Sequence, residues 1–497
     1  MCLFSFTKEK PMNRSIAYCA GAFLLTLLAP IRLPAQLPPG VIVDNWGGCP
    51  PGLLLSQVDL LVIGGTLVTM DPERRILQDG FVAVQGDRIV EVGQGKPASC
   101  KRGVSARQTI NAKGKLVLPG FINGHTHVPM TLLRGLRDDV TLDEWLRKYI
   151  FPAEAKNVTE EFVRWGTRLA AAEQIRGGVT TFADMYYFED VIAEEAKAAG
   201  MRGVMGETIL DFPAPDNKSN AAMLEYTEKF LKRWQGDALI HAAVAPHSIY
   251  SCSQRTLQDA AALARKYGAP ILIHVAEIKK ELDDSRAKNG TTPVQYLDRI
   301  GVLGPEVLAA HCIWVDEADR KILAQRQVGC VHNPSSNMML ASGVAPLIEE
   351  RAAGVAVGLG TDGPAGSNND LDLMEEMDLA AKLQKITRMD PQALGAKVVV
   401  EMATIEGARA LHMEKEIGSL EAGKKADLLL IGLDAPNAVP MYDVYAQLAY
   451  ALKGGDVETV IIGGRMVMRD KKLLTLDEPA VIAKAREFKN KIEASIK

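Results

Sequence analysis

The sequence predicts an α/β protein: a (β/α)8 TIM-type barrel carrying a β-sandwich built from its N- and C-terminal segments. Three observations predict it. Eight short apolar runs alternate with helical stretches through the middle of the chain, which implies parallel strands closing into a barrel. Val- and Ile-rich runs broken by Gly and Asp recur at both ends of the chain. Polar residues, several of them His, directly follow the middle runs, where a barrel gathers its loops at one mouth.

Taken in order, residues 1–35 come first. From Ser15 to Ile31 no residue is charged, Arg14 precedes the run and Leu33-Pro34-Ala35-Gln36 follows it. A basic start, a short apolar run and a small residue before a polar one describe a signal peptide. The expectation is an exported protein, periplasmic or secreted, with a retained N-terminal membrane anchor or a buried helix as the other readings. Met12 is an alternative start. Residues 36–57, rich in Pro, Gly and Leu, read as a linker. Residues 58–115 read as the first part of the β-sandwich, with runs at Val58–Met70 and Phe81–Val92.

Residues 116–412 read as the barrel. Its expected strands are Leu116–Ile122, Val179–Met185, Gly203–Leu210, Leu239–Ala245, Ile271–Val275, Val307–Ala310, Gly329–His332 and Val355–Leu359. Between the first two, Phe162, Trp165, Leu169, Ala172 and Ile175 recur at helical spacing and Gly177-Gly178 stops the helix. Residues 413–475 read as the second part of the sandwich, with runs Ala426–Ile431 and Val457–Met468, and 476–497 as a final helix.

Composition narrows the function. Lys plus Arg number 57 and Asp plus Glu 61, a net charge of −4, too close to neutral for a binder of nucleic acid through its phosphates. The seven Cys show no paired spacing and no CxxC, so neither a disulfide framework nor a thiolate zinc site is expected. Cys49 and Cys100 read as a bridge in an oxidising compartment or as two unrelated thiols.

The chemistry lies after the strands. His125-Thr126-His127 follows the first, and residues two apart in an extended segment point to one side. His274-Val275-Ala276-Glu277 follows the fifth, His311-Cys312 the sixth and Thr361-Asp362-Gly363 the eighth. Each alone is weak, since a single His after a strand is more often structural and a TDG triplet is usually a turn. Together they deliver imidazoles and a carboxylate to one mouth, which suits a borderline divalent cation with a position left for water.

The segments Pro119-Gly120-Phe121-Ile122-Asn123-Gly124-His125-Thr126-His127, Ala245-Pro246-His247-Ser248, His274–Glu277, Ala310-His311-Cys312 and Gly360-Thr361-Asp362-Gly363, with Gly418-Ser419-Leu420-Glu421-Ala422-Gly423-Lys424-Lys425-Ala426-Asp427-Leu428, resemble the amidohydrolase superfamily. The resemblance is to its branch of methylthioadenosine/S-adenosylhomocysteine deaminases, guanine deaminases and triazine hydrolases, and spans about Val58 to Leu474. It implies that His125, His127, His274 and Asp362 hold one divalent metal ion, zinc first with iron or manganese as alternatives. No Lys lies in the run Leu239–Cys252, where two-metal relatives carry a bridging one. It implies that His247 contacts substrate and that Met130–Trp145 forms a substrate loop. Glu144 and Trp145 there read as substrate contacts or as a capping acid and a packing indole. Glu207 falls where relatives acting on S-adenosylhomocysteine carry an Arg, and is expected to face the substrate and repel an anionic tail. Met339 stands where a Lys is common. His241, His332 and His412 read as structural.

The expected chemistry is hydrolytic deamination. A divalent cation lowers the pKa of a water toward neutrality. Asp362 is then placed to take the water proton, Glu277 to protonate the ring nitrogen and later the leaving ammonia, and His311 to polarise the attacking oxygen. The expected substrate is a small amino-substituted N-heterocycle, purine- or nucleoside-like, and the expected state a homo-oligomer. Hydrolysis of another C–N or C–Cl bond, as in triazines or amides, is the alternative. A catalytically silent exported binding protein is the reading from another class, and one that needs neither Glu277 nor Asp362.

Overall fold

The computed structural model describes residues 57–95, 97 and 105–496. The expected leader and the linker up to residue 56 lie outside the described residues, as do Cys49 and Cys100. The N-terminal segment supplies β1 (Gln57–Val68), β2 (Ile76–Gln85), β3 (Arg88–Gln94), β4 (Ser105–Asn111) and β5 (Lys115–Pro119). The middle supplies β6 (Phe121–Thr126), β7 (Val179–Tyr186), β8 (Arg202–Ile209), β9 (Ile240–Pro246), β10 (Ile271–Val275), β11 (Val307–His311), β12 (Gly329–His332) and β13 (Ala356–Leu359). The C-terminal segment supplies β14 (Leu428–Gly432), β15 (Val457–Ile462), β16 (Arg465–Arg469) and β17 (Lys472–Leu473), followed by the helix Glu478–Ile496.

The eight middle strands are parallel, and each pairs with its neighbours in chain order. The seam between last and first is closed by the Asp362 N–H donating to His125 O at 2.9 Å and the Thr361 N–H donating to Asn123 Oδ1 at 3.0 Å. The barrel is therefore sealed by the backbone of two residues expected at the metal. Helices cover the outside, and the main core lies between strands and helices.

The terminal strands form one nine-stranded mixed sheet, in the order β17-β16-β15-β14-β5-β1-β2-β3 with β4 also on β1. The sheet curls until its β3 edge meets the segment before β14 and the β15–β16 turn: the Ile89 N–H donates to Lys424 O at 2.9 Å, and a Cβ on Gly464 would stand 2.1 Å from Gly86 O. Its two arms enclose a core containing Val62, Val84, Val117, Leu428 and Ile461.

One expected strand divides. Leu116–Ile122 is two elements: β5 pairs with β14 and β1, and β6 begins the barrel beside β7. The chain turns from one sheet into the other at Gly120, where a Cβ would lie 2.0 Å from Thr180 Oγ1. The Gly120 N–H donates to Asp427 O at 3.0 Å. Both halves are fully buried, so the run shows no change of period at the break.

The helix Glu160–Arg176 starts at Thr159, whose side chain accepts from the Phe162 N–H, and stops at Gly177. Its buried face runs through Val163, Gly166, Thr167 and Ala170, while Trp165 and Leu169 are only half-buried. Of the expected apolar face, Phe162, Ala172 and Ile175 are buried as well, and small residues fill the rest of the packed surface. A Cβ on Gly166 would come 2.5 Å from Pro129 O, so glycine lets this helix lie against the turn that follows the first two histidines. Barrel and sheet are pinned together by Arg202 of β8, whose Nε and Nη2 donate to Asp427 at 3.0 and 3.2 Å with both side chains buried. Among the described residues no helix is long and apolar enough to cross a membrane.

Candidate active site and metal centre

The strand ends bring His125, His127, His274 and Asp362 together, with one ligand atom from each lying within 4.8 Å of all the others. His125 and His127 come off the end of β6, His274 from β10, and Asp362 from the segment after β13. Asp362 adopts a left-handed backbone at φ 63°, which turns its carboxylate across the mouth. His127 Nε2 lies 3.2 Å and His125 Nε2 3.4 Å from Asp362 Oδ1. The outer nitrogens are fixed. His127 Nδ1 lies 2.6 Å from Met185 O and His274 Nδ1 2.9 Å from His247 O. A carbonyl only accepts, so both Nδ1 atoms carry a proton, which leaves each Nε2 as the atom that faces inward and binds once it is unprotonated.

This donor set fits one divalent cation. His125 Nε2 is a buried nitrogen without a hydrogen-bond partner. Burial, aided by its histidine neighbours, holds His274 well below the ordinary range, and burial lowers His125 to about 4, so both are neutral donors. At His127 burial opposes charge, but the Asp362 carboxylate outweighs it and lifts the imidazole to about 9. Burial likewise opposes charge on Asp362, yet His125 and His127 hold it well below the usual carboxylate range. The cluster thus favours positive charge beside an ionised Asp362. That carboxylate is aimed by Ser336 Oγ donating to Oδ2 at 2.6 Å and the Gly363 N–H donating to Oδ1 at 2.7 Å.

The proton carriers surround this centre. Glu277 is buried, and burial followed by the charge of Asp362 raises its carboxyl to about 8. Its backbone is gripped from behind: Glu281 accepts the Ala276 N–H at 3.1 Å and the Glu277 N–H at 2.8 Å. His311 stands at φ 77° with Nδ1 3.0 Å from Asn337 Oδ1, and its Nε2, buried without a hydrogen-bond partner, faces Asp362 Oδ2 at 4.0 Å. Burial lowers its pKa, so it is a neutral imidazole. His247 packs its ring 4.5 Å from that of His274, with Nδ1 3.1 Å from Ser248 Oγ and from Ser251 Oγ.

A cleft, partly open to solvent, leads from these groups outward. It is lined by His247, Glu277, His311 and Asp362 at the closed end, and by Trp145, Phe151, Glu154, Tyr186, Tyr187 and Thr208 among others further out. Trp145 lines it while its Nε1 donates to Ala365 O at 2.9 Å.

Two expected substrate contacts lie elsewhere. Glu144 is not in the cleft; it points to solvent and pairs with Lys148 one helical turn on, at 3.1 Å. Glu207 is 0% exposed on the far face of β8, accepting from the Glu189 N–H and Asn217 Nδ2 at 3.2 Å each. Its neighbour Thr208 lines the cleft instead, because successive strand residues face opposite sides. Burial and the adjacent Asp216 push Glu207 well above the usual carboxylate range, so it is no source of repulsion for a substrate.

Sequence reasoning missed Glu154, a buried carboxyl that accepts from Tyr186 O–H at 2.6 Å. Burial raises it to about 7. Nothing in the periodicity of its short helix marks it, whereas Tyr186 and Tyr187 directly follow an expected strand and were open to the same test as the histidines. His332 is buried beside Asn337, and His241 and His412 line a second cavity that also carries Asp237 and Glu306.

Comparison with known proteins agrees with this geometry. The model of the amidohydrolase family matches residues 116–467. The chain is 44% identical over 443 residues to 5-methylthioadenosine/S-adenosylhomocysteine deaminase 1 of Syntrophus aciditrophicus, covering 89% of this chain and 99% of the relative. It is 40% identical over 442 residues to 5'-deoxyadenosine deaminase of Methanosarcina mazei, covering 88% and 100%. Among solved structures, an adenosine deaminase from Xanthomonas campestris with bound zinc superposes with a TM-score of 0.86 at 37% identity, covering 88% of this chain and 99% of that one. This chain belongs to the amidohydrolase family of metal-dependent hydrolases.

Proposed function

We propose that this enzyme is a zinc-dependent deaminase of adenine nucleosides whose 5′ position is neutral. The observation that carries the reading is Glu277: a carboxyl buried beside Asp362 and raised to about 8, so that it holds a proton at neutral pH at the closed end of the cleft. A site that only binds has no use for it. Relatives named for methylthioadenosine and S-adenosylhomocysteine, for 5′-deoxyadenosine and for adenosine support an adenine nucleoside as substrate; the preference for a neutral 5′ position rests on the cleft lining alone.

His125, His127, His274 and Asp362 would hold the cation, which would supply the Lewis acidity that brings a water near neutral pKa. Asp362, ionised, takes the proton of the attacking water. Glu277 gives its proton to the ring nitrogen beside the amino-bearing carbon, so that charge does not accumulate on the ring. It then relays a proton to the departing ammonia. His311, a neutral imidazole whose Nε2 is buried without a hydrogen-bond partner, turns that nitrogen toward the attacking water. Glu154 accepts hydrogen bonds from sugar hydroxyls, and Tyr186, Tyr187 and Phe151 give apolar surface to the nucleoside.

Among the described residues no Lys or Arg lines the cleft, while Glu154, Glu277 and Asp362 do. An α-carboxylate on the substrate tail would find no cation there, which disfavours S-adenosylhomocysteine. The test is ammonia release by zinc-loaded enzyme from adenosine, 5′-deoxyadenosine, 5′-methylthioadenosine, S-adenosylhomocysteine and an aminotriazine. The expected result is turnover of the first three, with S-adenosylhomocysteine at least about tenfold lower in kcat/KM for loss of ~1.4 kcal/mol of binding. Ammonia from none of them would overturn the deaminase reading, and tight binding without release would favour a silent binder.

Export belongs to the same proposal. It rests on the uncharged run Ser15–Ile31 behind Arg14, and cell fractionation tests it. Self-association is proposed as well, and sedimentation of the full chain tests it.

A further inference from the structure

Past the end of β11 the chain passes through two residues in the left-handed region, His311 at φ 77° and Cys312 at φ 48°. This turn lays the Cys312 side chain against Cys330 of β12, with the two Sγ atoms 3.0 Å apart. Both thiols are buried in the apolar layer that also holds Leu323 and Leu347 of the outer helices. The third described thiol, Cys252, is turned to Ile209 O at 3.1 Å and to Ser251. The dithiol is therefore a specific pair, and it is one peptide bond from His311, whose Nε2 faces Asp362.

We propose that Cys312 and Cys330 form an oxidisable dithiol that hydrogen peroxide converts to a disulfide, and that this bond displaces His311 and slows the enzyme. Both thiols are buried, and the contact with Cys330, then burial, holds the Cys312 thiol well above its ordinary range, so the reaction is slow and suits a small neutral hydroperoxide rather than a bulky disulfide. In the first step one sulfur attacks a peroxide oxygen, the O–O bond breaks, and a sulfenic acid and one water form. In the second, the other sulfur attacks the sulfenyl sulfur, the S–O bond breaks, and a second water leaves with the remaining thiol protons accounted for. Two electrons pass from the two sulfurs to one peroxide, so two thiols and one peroxide give one disulfide and two waters.

The bond requires the sulfurs to close to about 2.05 Å, roughly 1 Å nearer than they stand. The backbone of Cys330 is fixed by pairing on both sides, to Ala309 of β11 and Val357 of β13, so backbone movement falls to Cys312. Cys312 lies beyond the strand, held by its N–H to Val275 O at 3.0 Å, and it carries the motion to His311. A displacement of about 1 Å in a catalytic constellation costs up to ~100-fold in rate. The effect on rate rests on the deaminase reading above; formation of the disulfide does not.

The test treats the zinc-loaded full chain with hydrogen peroxide, removes the excess with catalase, and digests the protein with trypsin without reduction. Arg320, Lys321 and Arg326 separate the two cysteines, so mass spectrometry reads a linked pair directly. The expected result is a cross-linked pair of peptides lighter by two hydrogens, with kcat reduced about 10- to 100-fold and KM little changed. A phosphine reductant restores the rate, and Cys330→Ala, active before treatment, keeps its activity after it. Two separate thiol peptides in treated wild type would overturn the disulfide, whatever the fate of the variant. A linked pair with unchanged kcat, or a loss of rate that Cys330→Ala shares, would overturn the coupling to His311. Lack of turnover by untreated enzyme on every nucleoside would count against the deaminase reading alone, since the peptide map needs no activity.

Discussion

At the scale of single residues the site works by giving neighbouring groups opposite protonation states. Asp362 and Glu277 are both buried carboxyls, yet the histidines beside Asp362 keep it ionised while burial and Asp362 itself keep Glu277 protonated. Glu277→Gln removes the movable proton without touching a metal ligand. Metal content is expected to stay at one per chain, while kcat falls at least about 10²-fold, as for loss of a general acid. The pH dependence follows from the sign of the shift. A raised carboxyl holds its proton on the acid side of its pKa and loses it on the alkaline side, so the wild-type kcat is expected to fall as pH rises above neutrality. A rate that climbs through that range would contradict the role. The four ligands were legible because each directly follows a strand and the loops of one barrel mouth meet. Glu144 and Glu207 were misplaced for a geometric reason. A one-residue difference decides whether a side chain faces the cleft, as Thr208 does, or the helices behind it, as Glu207 does. Glu154 and Glu281 were invisible because their roles depend on partners distant in space or on backbone N–H groups that a sequence does not display.

At the scale of elements, the barrel strands and the helix Glu160–Arg176 were readable from periodicity, but contacts set by small residues were not. Gly120 divides one apolar run between two sheets, and Gly166 brings a helix against the chain that carries His127. The Arg202–Asp427 pair shows the same limit. Asp427 belongs to a recognisable motif, yet its buried partner lies 225 residues away. Arg202→Met leaves Asp427 buried without its charge partner, so a loss of about 3–5 kcal/mol in denaturant unfolding is expected. A change below about 1 kcal/mol, the range of surface pairs, would show that the pin does not hold barrel and sheet together.

Across the whole molecule, the centre that performs the chemistry also closes the fold. The last barrel strand meets the first through the Asp362 N–H and His125 O, and the side chains of the same two residues face each other across the mouth. A cation bound there bridges the seam, so chelation is expected to lower the melting temperature and added zinc to restore it. At a free concentration 100-fold above Kd the stabilisation is about 2.7 kcal/mol. The measurement that bears most directly on this account is an anomalous diffraction map of crystals of the zinc-loaded enzyme. The account expects a single strong peak within about 2.0–2.2 Å of His125, His127, His274 and Asp362 together. A map with no peak among those four residues, or with the ion held elsewhere, would contradict it.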